Sequence, residues 1–275
     1  GPLPRRPGHL DLRRCARRRC VARATPYRAG ATGRTIESAS VRPSTARLTP
    51  MTPPVVLVHG LGTSFELTWV SNGWVDLLGD EGRPVIGVDL LGHGAAPKPH
   101  DVAAYDDLGA RVVAALPSDG QVDAIGFSLG AKTLLKVVAA QPDRFRSLIV
   151  AGVGANLFRP DDMSVVVDAV RNGDDGGNPA LGYFSGLAQL PGNDREALAA
   201  CMSNGGGRVS AEELAAVRCP VLVVLGEHDF VAPADQLIEA LPDATLVTLP
   251  RTDHARTPKS FEFIDAALGF LRAQP

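Results

Sequence analysis

Gly126-Phe127-Ser128-Leu129-Gly130 decides how this chain is read. A β-like run, Val122-Asp123-Ala124-Ile125, leads into it, and a helical run from Ala131 to Ala140 leads out. A serine flanked by glycines at this spacing, between a strand and a helix, is the pattern of a tight turn that pushes one hydroxyl clear of the backbone. The plain alternative is an ordinary strand-to-helix turn with an exposed serine. The intact strand before the pentapeptide and the uninterrupted helix after it favour a nucleophile. Such a hydroxyl becomes reactive only beside a base and a set of N–H donors.

Working outward, short apolar runs alternate with helical patterns. Strands are expected at Val55–Val58, Val85–Asp89, Val122–Ile125, Ser147–Ala151, Val221–Leu225 and Ala244–Leu249, with helices near 73–80, 103–116, 131–141, 234–241 and 258–272. Almost wholly apolar strands separated by helices predict an α/β fold with a doubly wound, mostly parallel sheet covered on both faces. Chemistry in such sheets collects at the carboxyl ends of the strands. Between about Asn156 and Val217 the rhythm breaks, leaving polar loops and helix-like pieces near 161–171, 194–202 and 210–217. Residues 156–217 are expected to form a helical cap or lid inserted into a core of 51–155 and 218–275.

The other parts of a serine site each have a candidate just past a predicted strand. His254, after the last strand, is the expected base; His228 is its competitor, and His59 is expected to make local structural hydrogen bonds. Asp229, in Gly226-Glu227-His228-Asp229-Phe230-Val231-Ala232-Pro233, is the expected orienting acid, preferred over Glu227 and Asp253. The order Ser128, Asp229, His254 is nucleophile, acid, base. An oxyanion hole needs two backbone amides, and the choices are Leu129, which follows the nucleophile, and Leu61 in His59-Gly60-Leu61-Gly62-Thr63-Ser64. Phe65, Trp69 and Phe127 near these loops, with Phe158 and Phe184 from the insertion, are candidates for an apolar substrate pocket. Trp74 reads equally well as core.

Together these residues resemble the α/β-hydrolase superfamily over roughly 54–273. The resemblance is carried by His59-Gly60-Leu61-Gly62, Asp89-Leu90-Leu91-Gly92-His93-Gly94, the pentapeptide at 126–130, the acid segment at 226–233 and His254. It implies an α/β-hydrolase sheet, the triad order and no cofactor. The chain departs from the pattern in three places: Asp253 precedes the histidine where glycine is common, Ala95-Ala96 follows Gly94 where a serine is frequent, and little before Val55 looks like two leading strands. A serine in the pentapeptide excludes the aspartate-using dehalogenases and epoxide hydrolases that share this fold.

Composition bounds the remainder. The 275 residues are 45% hydrophobic and carry a formal charge of −2, but the charges are segregated. Residues 1–50 hold twelve arginines against two acids, while 51–275 hold sixteen basic and twenty-eight acidic residues. The acidic core gives no reason to expect nucleic acid as a partner. No run approaches the roughly 20 apolar residues of a membrane span. Residues 1–50 are read as a disordered or appended extension with no functional role, because Gly1-Pro2 looks like a scar of tag removal and Met51 opens a sensible start. A transit-like segment and a basic arm for an anionic surface are the competing readings. Four cysteines without metal-like spacing predict no metal site and free thiols, with the cytoplasm as compartment. The expected activity is a cofactor-independent serine hydrolase acting on a small ester, thioester or lactone. Carbon–carbon bond hydrolysis, perhydrolysis and ligand sensing without turnover are the alternatives, and the oligomeric state is left open.

Overall fold

The computed structural model describes residues 52–158, 163–173, 176–204 and 209–275. The expectation for residues 1–50 lies outside them. Among the described residues, six parallel strands form one open sheet: β1 Val55–Val58, β2 Val85–Val88, β3 Val122–Phe127, β4 Phe145–Ala151, β5 Val221–Gly226 and β6 Ala244–Leu249. Their order is β2-β1-β3-β4-β5-β6. The helices are α1 Trp74–Asp80, α2 Ala110–Ala115, α3 Leu129–Ala140, α4 Ser164–Asn172, α5 Pro179–Ala188, α6 Arg195–Ser203, α7 Ala211–Ala215, α8 Asp235–Ala240 and α9 Phe261–Ala273.

Two-residue alternation along the strands builds both faces of the core. Val56 and Val58 of β1 join a buried cluster with side chains of α2, α3, α7 and α8. Val55 and Leu57 join another with Trp69, α1 and α9. Because β1 pairs with β2 on one side and β3 on the other, the chain reverses its direction of travel across the sheet between β1 and β3. A crevice opens at such a point beyond the carboxyl ends of the strands. At β3's opposite end the buried Asp123 carboxylate is shared by Arg83 (3.1 Å), Arg146 (3.0 Å) and the Ser147 hydroxyl (2.7 Å), so that charge is fully paired.

Several boundaries differ from the sequence reading. β2 stops at Val88 because the Asp89 carboxylate turns aside to accept from the amides of Phe65 and Ala95, both at 2.8 Å. The helix expected at 103–116 is a 3-10 turn, Val102–Tyr105, followed by α2. The break comes where Tyr105 donates its hydroxyl to Pro99 O (2.7 Å) and the Asp107 carboxylate caps the Ala110 amide (3.0 Å). α9 starts late, at Phe261, because the Ser260 hydroxyl caps it by accepting from the Phe263 amide. Between β4 and β5 lie α4 to α7, with a small apolar cluster of their own that includes Val167, Val170, Leu198 and Met202. α5 is an addition to the reading. Gly182 and Gly186 interrupt its pattern, and it follows a glycine-rich polar stretch.

Candidate active site

β3 delivers Ser128 to the reversal point. Ser128 is one of two non-glycine residues with positive φ among the described residues, at φ 52° and ψ −112°. This sparsely populated backbone costs on the order of 1–3 kcal/mol and persists only where the surroundings fix it. They do so here. The Ser128 amide donates to Ala151 O of β4 (2.8 Å), and its carbonyl accepts from the Lys132 amide (3.0 Å). Gly130 then lets α3 approach β1, since a Cβ there would sit 2.3 Å from Val58 O and 2.5 Å from His59 O. The Ser128 side chain does not cap its own helix, so its hydroxyl remains available.

The hydroxyl meets a buried pair from the far side of the sheet. His254 Nε2 lies 3.1 Å from Ser128 Oγ, and His254 Nδ1 lies 2.9 Å from both carboxylate oxygens of Asp229. An ionised carboxylate only accepts, which assigns the ring proton to Nδ1 and leaves Nε2 to accept from the serine. Asp229 is held by the turn after β5: its amide donates to Gly226 O (3.0 Å), and Oδ1 accepts from the Val231 amide (3.1 Å). Both rivals face elsewhere. Glu227 accepts from the Arg251 amide (2.8 Å), and Asp253 accepts from the Arg256 amide (2.9 Å). Asp253 therefore occupies the unusual position before the histidine without turning its carboxylate to the ring.

The loop after β1 flanks the serine. Gly60 O accepts from His59 Nδ1 (2.7 Å) and from the Thr63 hydroxyl (3.0 Å), while His59 Nε2 accepts from the Leu90 amide (3.1 Å). In a planar trans peptide the carbonyl and the next N–H point in opposite directions. Fixing Gly60 O on His59 and Thr63 therefore turns the Leu61 N–H away from them. Gly60 itself lies beside the nucleophile, since a Cβ on it would be 3.4 Å from Ser128 Cβ. Leu129 opens α3, where first-turn amides have no intrahelical acceptor. Burial lowers the pKa of His59 and keeps its ring neutral, against the opposing pull of its bond to Gly60 and of Asp89. The sequence expectation of a structural role for His59 agrees with these bonds.

His93, 5.2 Å from His59 between ring centroids, is also buried. Its Nδ1 bonds Leu91 O (2.9 Å), whereas Nε2 has no partner among the described residues. Burial, then the neighbouring His59, pushes its pKa down to about 3, while Leu91 O and Asp89 pull upward and Lys98 adds to the fall. An unfolded chain exposes this ring to water, where it ionises near pH 6.5. Between that pH and about 3 the unfolded chain binds a proton that the folded one refuses, so stability falls as pH falls. We expect urea midpoints to drop from pH 7 to pH 5, and to drop less in His93→Asn. The difference should approach one proton, about 1.4 kcal/mol per pH unit. Parallel curves for the two proteins would remove His93 from the acid sensitivity.

The pocket candidates separate by position. Phe127 stacks near His254 at 4.9 Å, and Phe184 of α5 meets Tyr183 at 5.2 Å and Phe230 at 6.0 Å. Phe158 packs on the main core cluster, and Phe65 lies over Gly87 at the second cluster. Trp69, the remaining candidate, lies among core residues. It sits in a π-helical turn, Glu66–Val70, is fully buried and packs edge-on against Trp74 at 5.2 Å. The turn aims its large ring into the core, where apolar area is best removed from water. Two aromatics that the sequence reading did not assign to the pocket also lie beside the His254 ring: Phe230 at 4.5 Å and Tyr183 at 5.7 Å. Phe230 was legible in principle as an exposed aromatic directly after the acid. Burial raises the Tyr183 pKa, with Asp229 and Asp253 adding to the rise, so its hydroxyl stays protonated.

No group of three or more metal-binding side chains occurs among the described residues. Nor is any described helix long and apolar enough to cross a membrane. Cys201 and Cys219 are buried free thiols, and burial pushes their pKa values up to about 12 and about 11.

A family model described as the alpha/beta hydrolase family matches residues 55–266. The chain belongs to that family. Over 82 residues this alpha/beta hydrolase is 39% identical to a pimeloyl-[acyl-carrier protein] methyl ester esterase of Neisseria meningitidis serogroup B, a match covering 29% of the chain and 30% of that enzyme. The chain thus spans less than a third of that relative's length. A longer match, 27% identical over 249 residues, covers 79% of the chain and 83% of the 2-hydroxy-6-oxo-6-(2'-aminophenyl)hexa-2,4-dienoic acid hydrolase of Metapseudomonas resinovorans. Among solved structures, a serine hydrolase involved in carbazole degradation superposes with TM-score 0.61 at 26% identity, covering 81% of this chain and 92% of that one.

Proposed function

We propose that this alpha/beta hydrolase cleaves small carboxylic esters, thioesters or lactones through an acyl-enzyme on Ser128. The observation that supports this reading best is the continuous hydrogen-bonded line from the buried Asp229 through His254 to the half-buried Ser128 Oγ, with contacts of 2.9 and 3.1 Å. His254 Nε2 takes the hydroxyl proton as Ser128 Oγ attacks the carbonyl carbon. The negative charge that forms on the carbonyl oxygen is received by the amides of Leu61 and Leu129. Collapse expels the leaving group, which takes the proton back from His254. A water then attacks the acyl group, again through His254, and the acid departs. Asp229 fixes the ring tautomer and stabilises the imidazolium at both stages.

In this reading residues 156–217 act as a cap, and Tyr183 and Phe184 from α5 meet Phe230 over the imidazole. The aromatic wall favours neutral, apolar acyl groups. The buried free thiols Cys201 and Cys219 fit the reducing cytoplasm, which we keep as the compartment.

Steady-state hydrolysis of p-nitrophenyl esters from acetate to decanoate tests the reading. Multiple turnovers with a chain-length optimum are the expected result. The long match to the Metapseudomonas resinovorans hydrolase favours a second reading, carbon–carbon hydrolysis on the same triad. A folded protein that turns over none of the esters but releases a carboxylic acid from a vinylogous diketone would replace the first reading with the second.

A further inference from the structure

Asn193 joins the cap to the loop that carries the Leu61 amide. Its side-chain Nδ2 donates to Gly62 O at 2.6 Å and to Leu187 O at 2.8 Å. Both partners are carbonyl oxygens, so the NH₂ end of the amide must face them. The same cap segment lies directly on the loop, because a Cβ on Gly62 (φ 64°) would sit 2.7 Å from Leu187 Cβ. A side chain at position 62 would displace α5. Leu61 also packs against the cap's own apolar cluster.

The loop is therefore held at two carbonyls, those of the residues before and after Leu61, by different parts of the protein. Gly60 O is fixed from the core by His59 and Thr63, and Gly62 O is fixed from the cap by Asn193. Leu61 lies between them. The Leu61 N–H shares a rigid peptide plane with Gly60 O, and anchoring Gly62 O two peptides further on keeps the loop from shifting and tilting that plane; a preorganised donor needs no rearrangement as charge develops. Asp194, next in sequence, caps α6 by accepting from the amides of Glu196 and Ala197 and pairs with His100 of the core at 2.9 Å. Asn193 is thus anchored at the mouth of a fixed helix rather than on a free loop.

From this geometry we infer that Asn193 is a positioning residue for the oxyanion hole, so that the cap shapes transition-state stabilisation as well as the pocket. The inference rests on the serine-hydrolase reading. Asn193 acts through the loop and touches neither the nucleophile nor the base.

Diethyl p-nitrophenyl phosphate provides the test. Ser128 Oγ attacks phosphorus, its proton passes to His254, and p-nitrophenolate leaves as a coloured burst while the phosphoryl oxygen occupies the oxyanion position. Burst amplitude counts folded active sites, and the rate constant reports the quality of the hole. Wild type, Asn193→Ala and Asn193→Asp are compared, since aspartate keeps the shape but cannot donate to a carbonyl. We expect both variants to lose about tenfold or more in rate constant, less than the roughly 10²–10³ cost of deleting a donor outright. On esters, kcat should fall while KM changes little. A lower amplitude with an unchanged rate constant would show a merely structural residue and overturn the inference, even in a poorly folding variant. Equal rate constants at equal amplitude would also overturn it while leaving the serine reading intact. No Ser128-dependent burst in wild type would remove both.

Discussion

Replacing Ser128 with alanine is expected to lower kcat/KM on the best p-nitrophenyl ester by about 10⁴- to 10⁶-fold. The hydroxyl is the atom 3.1 Å from His254 Nε2, and no other side-chain oxygen among the described residues hydrogen-bonds that nitrogen. Water can replace the nucleophile only slowly, leaving whatever the oxyanion donors and substrate binding supply. The melting temperature should move little. The serine side chain does not cap α3, and alanine bears the same left-handed backbone cost at φ 52°. Loss of activity together with loss of fold would be uninformative for serine, so the melt accompanies the assay. Retention of a tenth of the wild-type rate in a folded protein would remove Ser128 from the chemistry.

Asp229→Asn is the second large effect, at about 10³- to 10⁴-fold in kcat. The asparagine side chain is nearly the same shape, so packing and the Val231 amide contact at 3.1 Å can survive. The change is electronic. An amide can offer an N–H to the imidazole where a carboxylate offers only lone pairs, and the ring then moves its proton to Nε2. Nε2–H cannot accept the serine proton, and the imidazolium also loses its counter-charge. The companion variant Asp253→Asn is expected to cost less than tenfold, because its carboxylate accepts from the Arg256 amide and faces away from the ring. A larger loss at Asp253 than at Asp229 would transfer the acid's role to the residue adjacent to the base.

The strands and the meeting of Ser128, His254 and Asp229 were legible for one physical reason. A parallel sheet buried on both faces demands continuous apolar runs, and a strained turn between such a run and a helix demands small residues around Ser128. Local spacing carries both signals. Phe230 and Tyr183 came from a different kind of information. The closeness of Tyr183 to His254 depends on how α5 lies over the strand ends, which no local pattern encodes, while Phe230 directly follows Asp229 and was passed over because an aromatic residue in sequence looks the same in a core as in a pocket. Trp69 is the opposite case, a candidate that the structure buries. It lies near the oxyanion loop along the chain, but the π-helical turn at Glu66–Val70 rotates it inward. Asn193 was invisible because its partner, Gly62, is 131 residues away. The split of the helix expected at 103–116 was partly readable, since Asp107 is a capping residue type and Gly109 a poor helix interior.

β4 and β5 are neighbours in the sheet, with Ala151 opposite Val224, although α4 to α7 lie between them in sequence. Adjacent strands are about 4.8 Å apart, so the chain between them leaves the carboxyl end of β4 and crosses back to the amino end of its immediate neighbour. Closing a longer or shorter excursion from such a base costs little, about 0.6 kcal/mol per doubling of length. The enzyme is therefore built like a tool with an interchangeable head. The intervening helices can be lengthened, trimmed or exchanged for others while the hydrogen-bonded register that brings Ser128, Asp229 and His254 together stays as it is. Under the inference drawn for Asn193, a transplanted head must still bring a donor to the carbonyl of Gly62. In directed evolution, libraries that vary this span while keeping that one contact should change substrate preference far more readily than they lose turnover.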